Sequence, residues 1–121
     1  MKIPGPDHPI SIDAGSERVT VTFNGKVVAD TVEARSLKEA GYPIVHYVPR
    51  GDVDMSALKR TGHSTHCPYK GDAAYWTIEV NGKTADNAVW SYEAPFPAVA
   101  EIKDHLAFHA SKVDEISVTA G

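Results

Sequence analysis

The segment Thr65-His66-Cys67-Pro68-Tyr69-Lys70-Gly71 sets a thiol, an imidazole, a phenol and an ammonium beside a proline and a glycine, the densest group of reactive side chains in the chain. Pro68 and Gly71 predict a turn that brings these side chains toward a common point. Cys67 is the one cysteine, so it forms no internal disulfide. Two readings of it stand side by side. Positive charge from His66 and Lys70 would favour the thiolate and make Cys67 a nucleophile, with His66 and His105 as candidate catalytic partners. Alternatively, Cys67 is a small residue packed beneath the turn.

Lys70 pairs naturally with Arg50 as an anion anchor, the guanidinium gripping through its two-pronged donor face and the ammonium acting as a point charge. The expected ligand is a small anion carrying a carboxylate or phosphate. Tyr69, Tyr75, Trp90 and Tyr92 are the candidate walls of its pocket. Alternation along a strand separates Tyr75, which shares a face with Thr77 and Glu79, from Trp76, which shares one with Ile78 and Val80 and reads as core. Trp90 and Tyr92 fall on one face and line a pocket together or not at all. Glu39 is either a surface charge at a helix end or a buried partner for Arg50.

The elements that must hold these groups are mostly short strands. Arg18–Phe23 alternates apolar and polar residues, Asn24-Gly25 supplies the positive backbone angles of a two-residue turn, and Lys26–Asp30 returns. The same grammar recurs in 74–80, Asn81-Gly82 and 88–92, so two hairpins flank the reactive segment. Residues 44–48, 106–109 and 115–118 read as further strands. Helical signals are brief: 36–40 ends at Gly41, 54–60 opens on Asp54 as a cap, and 97–103 opens on Pro97. Residues 1–8, rich in proline and glycine, read as a flexible segment ahead of a single domain spanning 9–121.

Together, Tyr42-Pro43, Tyr47-Val48-Pro49-Arg50, the 65–71 block with Tyr75-Trp76, Trp90-Ser91-Tyr92 with Pro95, and His105-Leu106-Ala107-Phe108 resemble domain-of-unknown-function family 427 over roughly residues 10–115. The resemblance implies a mainly β fold of the Mss4-like or β-tent kind, with antiparallel sheets leaning together around a pocket. Asp104 and His109 depart from the family pattern at what would be the pocket rim. The family is sometimes labelled nucleotidyltransferase-like, and Gly15-Ser16 with Asp52-Val53-Asp54 superficially match such a signature. A hairpin and a strand separate the two parts, too far to gather a triphosphate and two metals. Asp54 reads instead as a helix cap and Asp52 as a turn residue.

Zinc knuckles of two Cys-x-x-Cys pairs cannot be built from one cysteine, and the spacing of His63, His66, His105 and His109 fits no closed zinc site. No metal and no cofactor is therefore expected. The 121 residues suffice for one domain with a real core. A net charge of −4 without a basic cluster argues against nucleic acid as a partner. No apolar run approaches the roughly 20 residues of a membrane span. The first residues lack a signal-peptide core and the lone thiol suits a reducing cytoplasm, the expected compartment. The expected function is binding of a small anionic molecule in a polar and aromatic pocket, with or without catalysis; the alternative is a noncatalytic protein-interaction module.

Overall fold

Both Asn-Gly pairs adopt the left-handed backbone that a two-residue hairpin demands, with φ of 48° and 80° at Asn24 and Gly25 and 51° and 81° at Asn81 and Gly82. The computed structural model describes residues 1–121. Its strands are β1 (Ile10–Asp13), β2 (Arg18–Phe23), β3 (Lys26–Thr31), β4 (Arg35–Glu39), β5 (Val45–Tyr47), β6 (Leu58–Cys67), β7 (Gly71–Val80), β8 (Lys83–Ser91), β9 (Leu106–Phe108) and β10 (Glu115–Thr119). They form three antiparallel sheets, ordered β1-β4-β5, β10-β2-β3 and β6-β7-β8-β9. Short 3-10 turns link them. The chain is mainly β, as the hairpin grammar and alternation predict.

The sheets are stitched by backbone bonds outside the ladders. Val48 and Leu106 exchange N–H···O=C bonds of 2.7 and 2.8 Å, which joins β5 to β9. The Asp54 N–H donates to the Val28 carbonyl at 2.8 Å and ties β3 to the approach of β6.

Each face of β7 serves a different core. Trp76, Ile78 and Val80 pack with Val19, Val21 and Phe23 of β2 in the larger cluster. Ala73 joins Leu37, Tyr47, Tyr92, Val99 and Ile102 in the smaller one, against which Tyr75 and Trp90 pack. Both neighbours of β7 slip register in its middle. In β6 the shift falls between Arg60 and Ser64, opposite Tyr75, and in β8 between Val89 and Ala85, opposite Thr77. Asn87 sits in the second bulge with φ 50° and accepts a hydrogen bond from Thr61 Oγ1 of the first at 2.6 Å.

Of residues 36–40, expected to be a helical turn, Ser36–Glu39 instead form most of β4, the central strand of its sheet, and Ala40 begins the turn after it. Five residues are too few for a stable helix, and pairing on both sides with Leu37 only 2% exposed overrides the helix preference of Leu, Lys and Glu. Of 54–60, only Met55–Ala57 is helical; Asp54 caps it by accepting from the Ser56 N–H at 3.1 Å, and Leu58–Arg60 already pair with β7. The expected turn at 65–71 is also narrower. Thr65–Cys67 finish β6 in register with β7, and only Pro68–Lys70 turn.

Ile78 is fully buried where β7 faces β2, so Ile78→Ala is expected to cost about 2–5 kcal/mol. Val118→Ala, at a position 38% exposed on β10, is expected to stay within about 0.5 kcal/mol. Denaturant midpoints of the two variants check the contrast; similar losses would refute the packing of β7 against β2.

Candidate functional site

Gly71 fixes the start of the site. Its φ of 111° lies outside the range of other residues, and a Cβ there would approach the Ala94 carbonyl to 3.4 Å, because the 94–96 backbone crosses at this point and the Phe96 N–H bonds the Lys70 carbonyl. That crossing turns Lys70 inward. Its ammonium bonds Glu39 Oε1 at the end of β4 and lies 5.9 Å from the centre of the Tyr92 ring. The second Glu39 oxygen bonds His8 Nε2 at 2.7 Å, and the His8 ring stacks on Tyr69 at 4.0 Å, nearly parallel. The Lys2 N–H reaches the Pro68 carbonyl at 2.7 Å. The first eight residues thus contribute directly to the site's wall.

Around Lys70 lie two adjoining cavities. The inner one, about 230 Å³, is lined by Lys70, Tyr47, Tyr75, Trp90, Tyr92 and His109 among others; the outer, about 570 Å³, by His66, Cys67, Tyr69 and His8. Glu39, Lys70, Tyr42, Pro43 and Val45 border both. Tyr42–Val45 therefore form a strap across the site between β4 and β5, entered through Ala40 at φ 44°. Tyr42 and Ile44 of this strap are 63% and 54% exposed.

The inner cavity is a cage of aromatic rings. Tyr47 stands edge-on to Trp90 at 6.3 Å and its hydroxyl accepts from Trp90 Nε1 at 3.3 Å. His109 lies 4.5 Å from Trp90. The Tyr75 hydroxyl shares a hydrogen bond of 3.0 Å with Thr65 Oγ1. Burial drives the Tyr92 phenol far above the ordinary tyrosine range, and the nearby Tyr47, Cys67, Tyr75 and Glu39 push it the same way. Burial raises the Tyr47 phenol strongly as well, against the Trp90 hydrogen bond. Both stay protonated donors across the physiological range. Burial lowers His109, helped by Lys112, so its neutral ring is favoured. For Glu39 burial works upward, but the hydrogen bonds from Lys70 and His8 outweigh it and leave the carboxyl below its ordinary range.

Of the residues singled out from sequence, Lys70, Tyr75, Trp90 and Tyr92 meet in the inner cavity and His66, Cys67 and Tyr69 in the outer one. Arg50 lies elsewhere. It bonds Glu93 at 3.3 Å, shares that carboxylate with Arg60, and stacks 5.4 Å from the Trp76 ring, so Arg50 and Lys70 do not converge on one anion. Glu39 is the partner of Lys70, not of Arg50. Cys67 Sγ has no hydrogen bond to an imidazole: His66 Nδ1 is engaged with Asp72 at 2.7 Å, and His105 Nδ1 with the Lys103 carbonyl at 2.8 Å. The supposed catalytic trio is thus three separate side chains. Asp52 accepts from Thr31 Oγ1 and Asp54 pairs with Lys26, so the two acids of the Asp-Val-Asp triplet serve the fold. Sequence reading missed His8, which lies far from the signature in the chain.

A family model described as "Domain of unknown function (DUF427)" matches residues 11–119, nearly the whole chain, and the protein belongs to that family. No curated protein matches the sequence.

A carboxylate held below its unfolded value stabilises the fold above that value and loses its contribution as pH falls through the folded one. Stability should therefore fall as pH drops below about 4.5, the ordinary glutamate value, and less steeply in Glu39→Gln. At pH 7 that substitution strands Lys70 and is expected to cost about 3 kcal/mol. Chemical denaturation across pH 3–7, at about half-unit steps, reads both effects; overlaid wild-type and variant profiles would refute the pair's role.

Proposed function

We propose that this member of the family binds a small acidic molecule in the inner cavity, its oxygens held by phenolic hydroxyls and its charge placed beside Lys70. The observation carrying this reading is the Tyr92 hydroxyl, which makes no hydrogen bond within the chain although its ring is buried under the Lys70 ammonium. Tyr92 lines the inner cavity, where a ligand oxygen can accept the uncommitted hydrogen of this hydroxyl. Thr65 can donate to the Tyr75 oxygen, leaving the Tyr75 hydrogen for the same ligand. Glu39 already balances Lys70, so hydrogen bonds carry more of the affinity than net charge does. A flat ligand suits the ring-lined walls, and Tyr69 with Cys67 borders its entrance.

Binding is preferred to catalysis because no nucleophile touches a base in either cavity. A second reading, a noncatalytic interaction surface, is favoured only by the exposed apolar side chains of Tyr42 and Ile44 on the strap. A half-buried free thiol beside the cleft suits a reducing compartment, and we place the protein in the cytoplasm on that ground. No helix is long and apolar enough to cross a membrane.

Thermal melts with benzoate, inorganic phosphate and neutral benzyl alcohol test the reading. Benzoate is expected to raise the melting temperature with concentration, by mass action, and benzyl alcohol much less. Tyr92→Phe keeps the ring and removes the donor, and should weaken benzoate binding roughly tenfold or more, the worth of a hydrogen bond to a charged group. If neither benzoate nor phosphate shifts the melt, the acid-binding reading fails.

A further inference from the structure

A third cavity, of about 200 Å³, lies beyond the aromatic cage and differs from it in chemistry. Its walls are mainly hydrocarbon: Val19 and Val21 of β2, Phe108 of β9, Ile116 of β10 and Ile44 of the strap. Pro43 and Val45 line both this cavity and the inner acid-binding one, and so do Trp90 and His109. Two groups of residues are therefore common to both spaces. One is the strap running into β5; the other is the Trp90 ring with His109 against it at 4.5 Å. The two spaces thus adjoin across Pro43, Val45, Trp90 and His109, polar on the Lys70 side and apolar on the Phe108 side.

The two histidines at the apolar end do not make it polar. His46 is engaged with Ser36 Oγ at 2.8 Å, and burial lowers its affinity for a proton against the pull of Glu17. His109 is likewise favoured neutral, by burial and by Lys112. A space so lined offers water few partners, and apolar cavities of roughly 150 Å³ stay dry yet accept a benzene-sized guest. This one is larger. Room for about six carbons lies next to a donor-lined head site.

We propose that the ligand is an amphiphile: a short-chain or arylalkyl acid whose head lies among Lys70, Tyr75 and Tyr92 and whose hydrocarbon tail fills the chamber of Val21, Phe108 and Ile116. The inference rests on the acid-binding reading above. It adds what that reading lacks, a chemical class of ligand and a basis for selecting chain length. Tail burial supplies affinity in steps, each methylene removed from water strengthening binding about threefold to fourfold.

The test is a titration of the ¹⁵N-labelled full chain with acetate, butyrate, hexanoate and hexan-1-ol, following the Trp90 indole N–H. Dissociation constants should fall about threefold to fourfold per methylene from acetate to hexanoate, and hexan-1-ol should bind much more weakly than hexanoate. Ile116→Phe fills the chamber from the partly buried β10 and should flatten the series. Should that variant fail to fold, Ala110→Trp, at an exposed position on the chamber's rim, should flatten it as well. Acids that bind with no dependence on chain length would overturn the tail chamber and leave the head site standing. Hexan-1-ol binding as tightly as hexanoate, or no acid binding at all, would overturn the head site and the inference with it.

Discussion

The ion pair between Glu39 and Lys70 connects parts of the molecule that the backbone ladders leave separate. Glu39 ends β4 in one sheet, Lys70 occupies the β6–β7 turn in another, and the two side chains are only 13% and 11% exposed. Removing a charge from water costs several kcal/mol, so neither residue could occupy its place without the other. The pair thereby sets the distance between two sheets and holds a cation over the Tyr92 ring. Its second carboxylate oxygen takes His8, which brings the amino-terminal segment down beside Tyr69. Turn, strand end and terminus meet through one carboxylate.

Around that link the cavities follow from how the chain divides its aromatic residues. Adjacent residues on β7 go to opposite faces, Trp76 into the larger core and Tyr75 toward the phenol cage. Trp76 in turn supports Arg50 and Arg60, which are tied to each other through Glu93 and take no part in the cage. The cage survives as space because its walls are rigid rings fixed at both ends, Trp90 through Tyr47 and Tyr75 through Thr65. Flexible aliphatic walls would have closed over it.

What the sequence made legible were features written in neighbouring residues. Each Asn-Gly pair announces its own hairpin, because few other dipeptides tolerate two consecutive left-handed residues. Alternation in β7 likewise told Trp76 from Tyr75. The features it concealed depend on distant partners. Residues 36–39 carry helix-forming side chains, and only the strands on either side make them β4. Glu39 finds Lys70 and His8, each 31 positions away, with no local pattern to mark either, whereas Arg50 looked available because Glu93 lies 43 positions away. The strap was visible only as Tyr42-Pro43, and its passage over three cavities follows from where β4 and β5 lie.

The paired bulges beside Tyr75 and Thr77 bear on how the molecule meets other chains. β6 is the outer strand of its sheet, ten residues long and largely exposed, the type of edge on which a second polypeptide could add itself strand by strand. Its regular ladder is interrupted at Thr61–His63, leaving only Leu58–Arg60 and Ser64–Cys67 with straight geometry. An incoming strand that matches one stretch is out of step with the other, and the kink between them turns the edge away. The same irregularity that seats a tyrosine in the cage thus guards the longest open edge of the protein against aggregation.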